Sequence, residues 1–136
     1  MPVIKLSITT THRLLIGYNK YISNSPPLPN MRKIEMMMNS AIRYRKNFSS
    51  GNTTVRSYKE SVDVYLHGNH IATLDTATHA LTLKDGGWQA VTTKSRLNAL
   101  LDEFVPSMGI FQKDWVWFLR DNLDGSVVPF ISGMEV

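Results

Sequence analysis

Two spacings of apolar residues alternate along the chain. In "NMRKIEMMMNSAIRYRKNF", residues 30–48, Ile34, Met37, Met38, Ala41, Tyr44 and Phe48 recur every three or four positions. That interval places them on one side of a helix, with Arg32, Asn39, Arg43 and Lys46 on the other. Asn30 is a candidate cap, and "SSGN", residues 49–52, is expected to end the element. A period of two follows over residues 54–58, 61–67, 70–75 and 80–84. In "SVDVYLH", Val62, Val64 and Leu66 point one way and Asp63, Tyr65 and His67 the other, the pattern of a half-buried strand. "GN" at Gly68 and Asn69 suits a two-residue hairpin turn. "DTATH" and "KDGG" supply the next reversals.

The helical interval returns in "GGWQAVTTKSRLNALLDEF", residues 86–104, where Leu97, Leu100, Leu101 and Phe104 form a core face. Pro106 prevents continuation. "GIFQK", "WVWFLR" and "VVPFI" read as strands, with reversals at Lys113–Asp114 and "DNLDG". Pro129 suits an edge strand. Trp115, Trp117 and Leu119 would share one face of the middle strand, with Val116 and Phe118 on the other. For a strand apolar on both faces, burial between layers is favoured over contact with a partner. Elements in this order predict an α+β fold: an N-terminal helix, an antiparallel β-meander, a second helix packed on the sheet, and C-terminal hairpin strands. The sheet is expected to hold roughly five to seven strands.

"SNSPPLPN", residues 23–30, carries three prolines in four positions, which stop any regular element. The expected division is a basic extension and Pro-rich linker over residues 1–30 and one α+β domain over residues 31–136, with Met31 a candidate start. Removing residues 1–30 is expected to leave thermal stability nearly unchanged.

Composition removes several function classes. The absence of cysteine excludes disulfides, Cys-based zinc or iron–sulfur sites and a cysteine nucleophile. The longest apolar runs fall far short of the roughly 20 residues of a membrane span, and "LLIGY" is too short for a signal-peptide core. A cytoplasmic location is expected, without membrane contact. There is no Gly-rich phosphate loop, nucleophile elbow or interpretable carboxylate pair, so we expect neither an enzyme nor a cofactor. His67 and His70 flank a turn, with Asp75 and His79 near in sequence, and imidazole is a good zinc ligand. Residues on either side of a hairpin turn are neighbours in any case, and no metal site is assigned.

Charge changes the picture more. Residues 1–59 hold ten Lys or Arg against the single acid Glu35, and residues 60–136 hold five against ten acids. Such asymmetry suits a basic region that meets nucleic acid or an acidic partner, although a solvated tail carries charge without purpose equally well. The second helix has its charges reversed: Lys94 and Arg96 near the start, Asp102 and Glu103 at the end. The helix dipole favours the opposite order. Thr92, Thr93, Lys94 and Arg96 would suit an anion or phosphate held at a helix N-terminus, or form a solvated face with threonine caps. Arg32, Arg43, Arg45 and Lys46 of the first helix complete the candidate nucleic-acid or anion-binding set. If that face is free to bind, Arg32, Arg43 and Lys46 must escape internal salt bridges. Tyr44, Tyr58, Tyr65 and Trp88 could stack bases among basic residues, or sit at the rim of a core.

The run from Met31 to Val136, through "MRKIEMMMNSAIRYRKNFSSGNTTV", "VYLHGNHIATLD", "LTLKDGGWQAVTTKSRLNALL" and "GIFQKDWVWFL", resembles small proteins encoded by tailed bacteriophages. No activity is assigned to such proteins, so the resemblance carries over no functional residue. It implies a phage-encoded protein; with no catalytic motif among the residues, a non-enzymatic accessory binding protein of the host cytoplasm is expected. Two partners compete: nucleic-acid backbone, through the basic helix and "TTKSR", or a host protein that it modulates, through the aromatic strand or the acidic surface.

Overall fold

The first helix is shorter than its apolar stripe. In a computed structural model that describes residues 31–136, α1 spans Lys33–Arg43. Met38, Ala41 and Ile42 face the core, while Met37 and Tyr44 lie exposed. The stop is a Schellman motif: Lys46 N–H bonds Ala41 C=O and Arg45 N–H bonds Ile42 C=O. Its left-handed position, usually glycine, is held by Arg45 at φ 54°. The helix therefore ends before "SSGN", and those residues belong to a hairpin instead. The Asn30 cap, the Pro-rich linker and the basic extension lie outside the described residues. At the described end, Glu35 Oε1 accepts the Arg32 backbone N–H at 3.1 Å, which satisfies one of the free donors of a helix start.

Two sheets follow. β1 (Phe48–Ser50), β2 (Thr53–Ser57), β3 (Ser61–Leu66), β4 (Asn69–Asp75) and β5 (Leu81–Leu83) form an antiparallel meander. The alternation of "SVDVYL" is realised, with Val62, Val64 and Leu66 buried. The β3–β4 turn sits one residue earlier than "GN" suggests. Leu66 pairs with Asn69, and His67 and Gly68 take φ 54° and 80°, so both central residues are left-handed as in a type I′ turn. A bulge then lets Ile71 and Ala72 both turn inward.

After the meander, α2 covers Val91–Phe104. Gly86 in the connection is at φ 72°, and a Cβ there would sit 3.3 Å from both Asn69 Cβ and Ile71 Cγ2. β6 (Met108–Lys113), β7 (Val116–Asp121) and β8 (Val127–Pro129) make a separate three-stranded sheet in that order. Pro129 lies on an edge strand, as expected. β9 (Met134–Glu135) returns to pair with β5, so the first sheet has the order β9-β5-β4-β3-β2-β1. The described fold is α+β, with two helices and nine strands, the strands divided between two sheets rather than gathered in one. β1 and β9 are too short for their period to be read from sequence.

The core lies between the helices and the inner faces of the sheets. Leu97, Leu100 and Leu101 of α2 join Met38 and Ile42 of α1 and Val55, Val62, Val64, Leu81 and Leu83 of the meander. Trp117, 1% exposed, packs edge-on against Phe130 with ring centroids 5.4 Å apart. Asn98 stitches α2 to the second sheet: its Oδ1 accepts Ile110 N–H at 2.7 Å and its Nδ2 donates to Ile110 C=O at 2.9 Å. One side-chain amide thus does what a neighbouring strand's peptide would do, and it closes the β6 edge there.

Candidate nucleic-acid interface

The start of α2 faces inward. Ala90 is the N-cap without a side-chain bond, so Thr92 and Thr93 are first-turn residues and not caps. Thr93 and Arg96 are each 3% exposed. Arg96 Nη1 donates to Glu35 Oε2 at 2.7 Å, Nε to Thr53 Oγ1 at 3.0 Å and Nη2 to Asn52 Oδ1 at 3.2 Å. Ser95 Oγ donates to the same Glu35 oxygen at 2.6 Å. The carboxylate near this helix start is internal: it comes from α1. Arg96 therefore leaves the set of residues that can meet a ligand from solvent: it is buried, and turning its guanidinium outward would leave the buried Glu35 carboxylate without its cation. Of the "TTKSR" segment, Thr92, Lys94 and Ser95 remain partly exposed, and Ser95 is bonded to Glu35.

The other half of the candidate set lies differently. Arg43 is half-buried and ion-paired with Glu103 of α2, so it too is committed internally. Arg32, Arg45 and Lys46 are exposed. β1–β2 pairing adds residues that the sequence did not single out. Phe48 pairs with Val55, and Asn47 Oδ1 accepts Ser57 N–H at 2.8 Å. The chain before β1 and the bend after β2, residues 58–60, therefore leave the same end of the hairpin. Arg56, in β2 opposite Asp63 of β3, and Lys59, in the bend after it, lie at the same end of the hairpin as Arg45 and Lys46, and all four side chains are exposed. Tyr44 and Tyr58, 66% and 52% exposed, stand among them. Glu60 is the acid in this stretch. Arg56 and Lys59 escaped notice because only the strand register brings them to the same end of the hairpin as residues 45 and 46.

The outer face of the meander closes on itself. Lys84 Nζ donates to His70 Nδ1 at 3.3 Å; an ammonium only donates, so Nδ1 accepts and Nε2–H is left to donate to Thr73 Oγ1 at 2.7 Å. Thr73 Oγ1 donates to Asp63 Oδ1 at 2.7 Å, and Tyr65 OH reaches Asp63 Oδ2 at 3.4 Å. Partial burial, and then the Asp63 carboxylate, hold the Tyr65 phenol above its ordinary range. Asp75 is spent on the N–H groups of Thr78 and Ala77, which hold its carboxyl below the usual range. Among the described residues no three His, Asp or Glu side chains converge as metal ligands. His67 and His79 are exposed turn residues.

The second sheet presents an aromatic outer face. Phe111 and Phe118 stack at 5.5 Å, with the Arg120 guanidinium 5.1 Å from the Phe111 ring. Trp115 does not share the buried face of Trp117. Lys113 pairs with Val116, which leaves Asp114 and Trp115 as the turn, at φ 53° and 68°. Trp115 is 88% exposed. The expectation of burial fails here because the hairpin reverses one residue later than the apolar run suggests.

The model of the Kyanoviridae Gp96 protein family matches residues 31–136, and the chain belongs to this bacteriophage family. The family's description names no activity. No curated protein and no solved structure matches the chain. Among the described residues, no helix is long and apolar enough to cross a membrane.

Proposed function

We propose that this phage protein is a non-enzymatic accessory factor of the host cytoplasm that binds nucleic-acid backbone along the edge formed by Arg45, Lys46, Arg56 and Lys59. The observation that supports it is that four exposed cations, with Tyr44 and Tyr58, lie on the two segments that the β1–β2 pairing and the Asn47–Ser57 hydrogen bond hold together. Cations supply phosphate contacts and counterion release, and tyrosines supply stacking platforms. Arg45 adds an argument from strain. A left-handed arginine costs about 1–2 kcal/mol relative to glycine, which the Schellman position ordinarily carries, and such outliers collect at functional positions.

The test is a salt titration of binding to a random duplex and a random single strand. Arg45→Glu with Lys46→Glu should lower affinity and reduce the slope of log K against log salt by about 1 for each lost phosphate contact. Lys94→Glu should leave binding unchanged and stabilise the free protein by about 0.3–1 kcal/mol, since an acid suits a helix start. Absence of binding at low ionic strength would sink the proposal.

A second reading rests on Trp115 and the Phe111–Phe118 face. A bulky residue in left-handed geometry at a turn tip, beside exposed Val116, is the chemistry of an interface anchor. A host protein would be its partner, and Trp115→Ala would then abolish capture of that protein without altering the salt titration.

A further inference from the structure

Along the outer side of α1 runs an open groove of about 500 Å³ whose lining includes Lys33, Met36, Met37, Tyr44, Lys46 and Phe48. Its axis follows the helix. From residue 33 to residue 44, at 1.5 Å per residue, it extends about 16 Å. The floor is thioether and aromatic, and a cation stands towards each end: Lys33 beside the helix start and Lys46 just past the Schellman turn. Met37 is 43% and Tyr44 66% exposed, so neither is needed to close the core.

The alternation is that of a single-stranded nucleic acid, in which anionic phosphates flank apolar base faces. A duplex keeps those faces stacked inside and offers a groove of this kind only its backbone. We propose that the groove receives a short unstacked stretch of a single strand, with a base against Tyr44 and the Met36–Met37 thioethers and the phosphates at the two ends of the stretch near Lys33 and Lys46. The proposal rests on the backbone-binding reading and narrows it: the basic edge sets where the strand lies, and the groove makes single strands preferred over duplex. Methionine suits this work because its flexible, polarizable side chain moulds to any flat ring, and a stacking contact is tolerant of base identity. The preference is therefore for strandedness and not for sequence.

The experiment compares oligothymidine with a duplex of equal length, on the full chain, for wild type, Tyr44→Ala and Tyr44→Phe. A stacked base contributes about 1–3 kcal/mol, or roughly 5- to 150-fold in affinity. Oligothymidine should therefore bind tighter than the duplex, with the excess lost in Tyr44→Ala and kept in Tyr44→Phe, because the ring and not the hydroxyl does the stacking. Duplex affinity should be the same for all three proteins. Equal affinity for both forms and indifference to Tyr44→Ala, with binding still weakened by the Arg45→Glu, Lys46→Glu pair, would overturn the groove and leave the basic edge in place. No binding of either form at low salt would remove both. A short amphipathic peptide with acidic flanks that binds and is not displaced by oligothymidine would give the groove to a protein partner and overturn the proposal.

Discussion

Two basic stretches of the chain look alike as strings of letters and behave oppositely in the fold. "TTKSR" at the start of α2 turns its strongest cation inward, onto Glu35, Thr53 and Asn52. "RYRKN" at the end of α1 gives one cation to Glu103 and leaves Arg45 and Lys46 exposed. The difference is one of position. Arg96 sits one residue before Leu97, on the side of α2 that meets α1, where it is drawn into the core with a carboxylate for company. Arg45 and Lys46 follow the last helical turn, where the chain has already left the packed face. The reversed charges of α2 are thus an internal matter at one end, where Arg96 meets Glu35, and half of one at the other, where Glu103 meets Arg43.

The sharpest way to break this comparison is to remove the inward cation. Arg96→Met leaves the Glu35 carboxylate buried, 1% exposed, without its guanidinium. Loss of one partner of a buried pair costs about 3–5 kcal/mol, enough to lower Tm by well over 10 °C in a domain of this size. Replacing Glu35 by Met as well should recover much of that loss, since no buried charge remains. A thermal melt checks both. If Arg96→Met melted like the wild type, the buried pair would carry no weight and Arg96 would be free for a ligand.

The reverse manipulation acts on the outward cation. Arg45→Gly relieves the left-handed residue at the Schellman position, and it should raise stability by about 0.5–1 kcal/mol while it weakens binding to nucleic acid. Stability and binding moving in opposite directions is the outcome that marks Arg45 as kept for its charge. A glycine variant less stable than wild type would mean that the arginine side chain supports the turn.

How much of this was legible in the sequence follows from which interactions are local. Helix faces and the Val62–Val64–Leu66 alternation are set by neighbours a few residues away, so α2 and β3 could be read directly, whereas α1 was legible in part: Asn39, expected outside, is buried, and Met37 and Tyr44, expected on the apolar face, are exposed. Turn positions were read one residue out at His67–Gly68 and Asp114–Trp115, because His, Asp and Trp are unusual occupants of left-handed positions that glycine and asparagine normally fill. The Glu35–Arg96 pair spans 61 positions, and Asn98 mimics a peptide group only when β6 lies beside it. Nothing local announces either. The candidate interface is intermediate: Arg45 and Lys46 show as a basic cluster, whereas Arg56 and Lys59 are placed at the same end of a local hairpin by the Phe48–Val55 register.

The smallest expected effect lies at the acidic end of α2, where Glu103 has Arg43 and Asp102 makes no ion pair among the described residues. Burial first, and then the Glu35 carboxylate, push the Asp102 carboxyl above the usual aspartate range, and the negative end of the helix dipole opposes its ionisation too. A raised pKa means that the folded state holds the proton more tightly than the unfolded chain. This group's contribution is therefore favourable in acid, declines as pH climbs from the ordinary aspartate value to the raised one, and stays lost at neutral pH. Asp102→Asn removes the ionisation. It should raise stability at neutral pH by about 0.5 kcal/mol or less, and the gain should vanish below the ordinary aspartate range, where the wild-type carboxyl is protonated in both states. Melts of the two proteins across that range supply the check. A gain independent of pH would assign the effect to the shape of the amide. A loss at neutral pH would show that Asp102, like Glu103, has found a cation to hold.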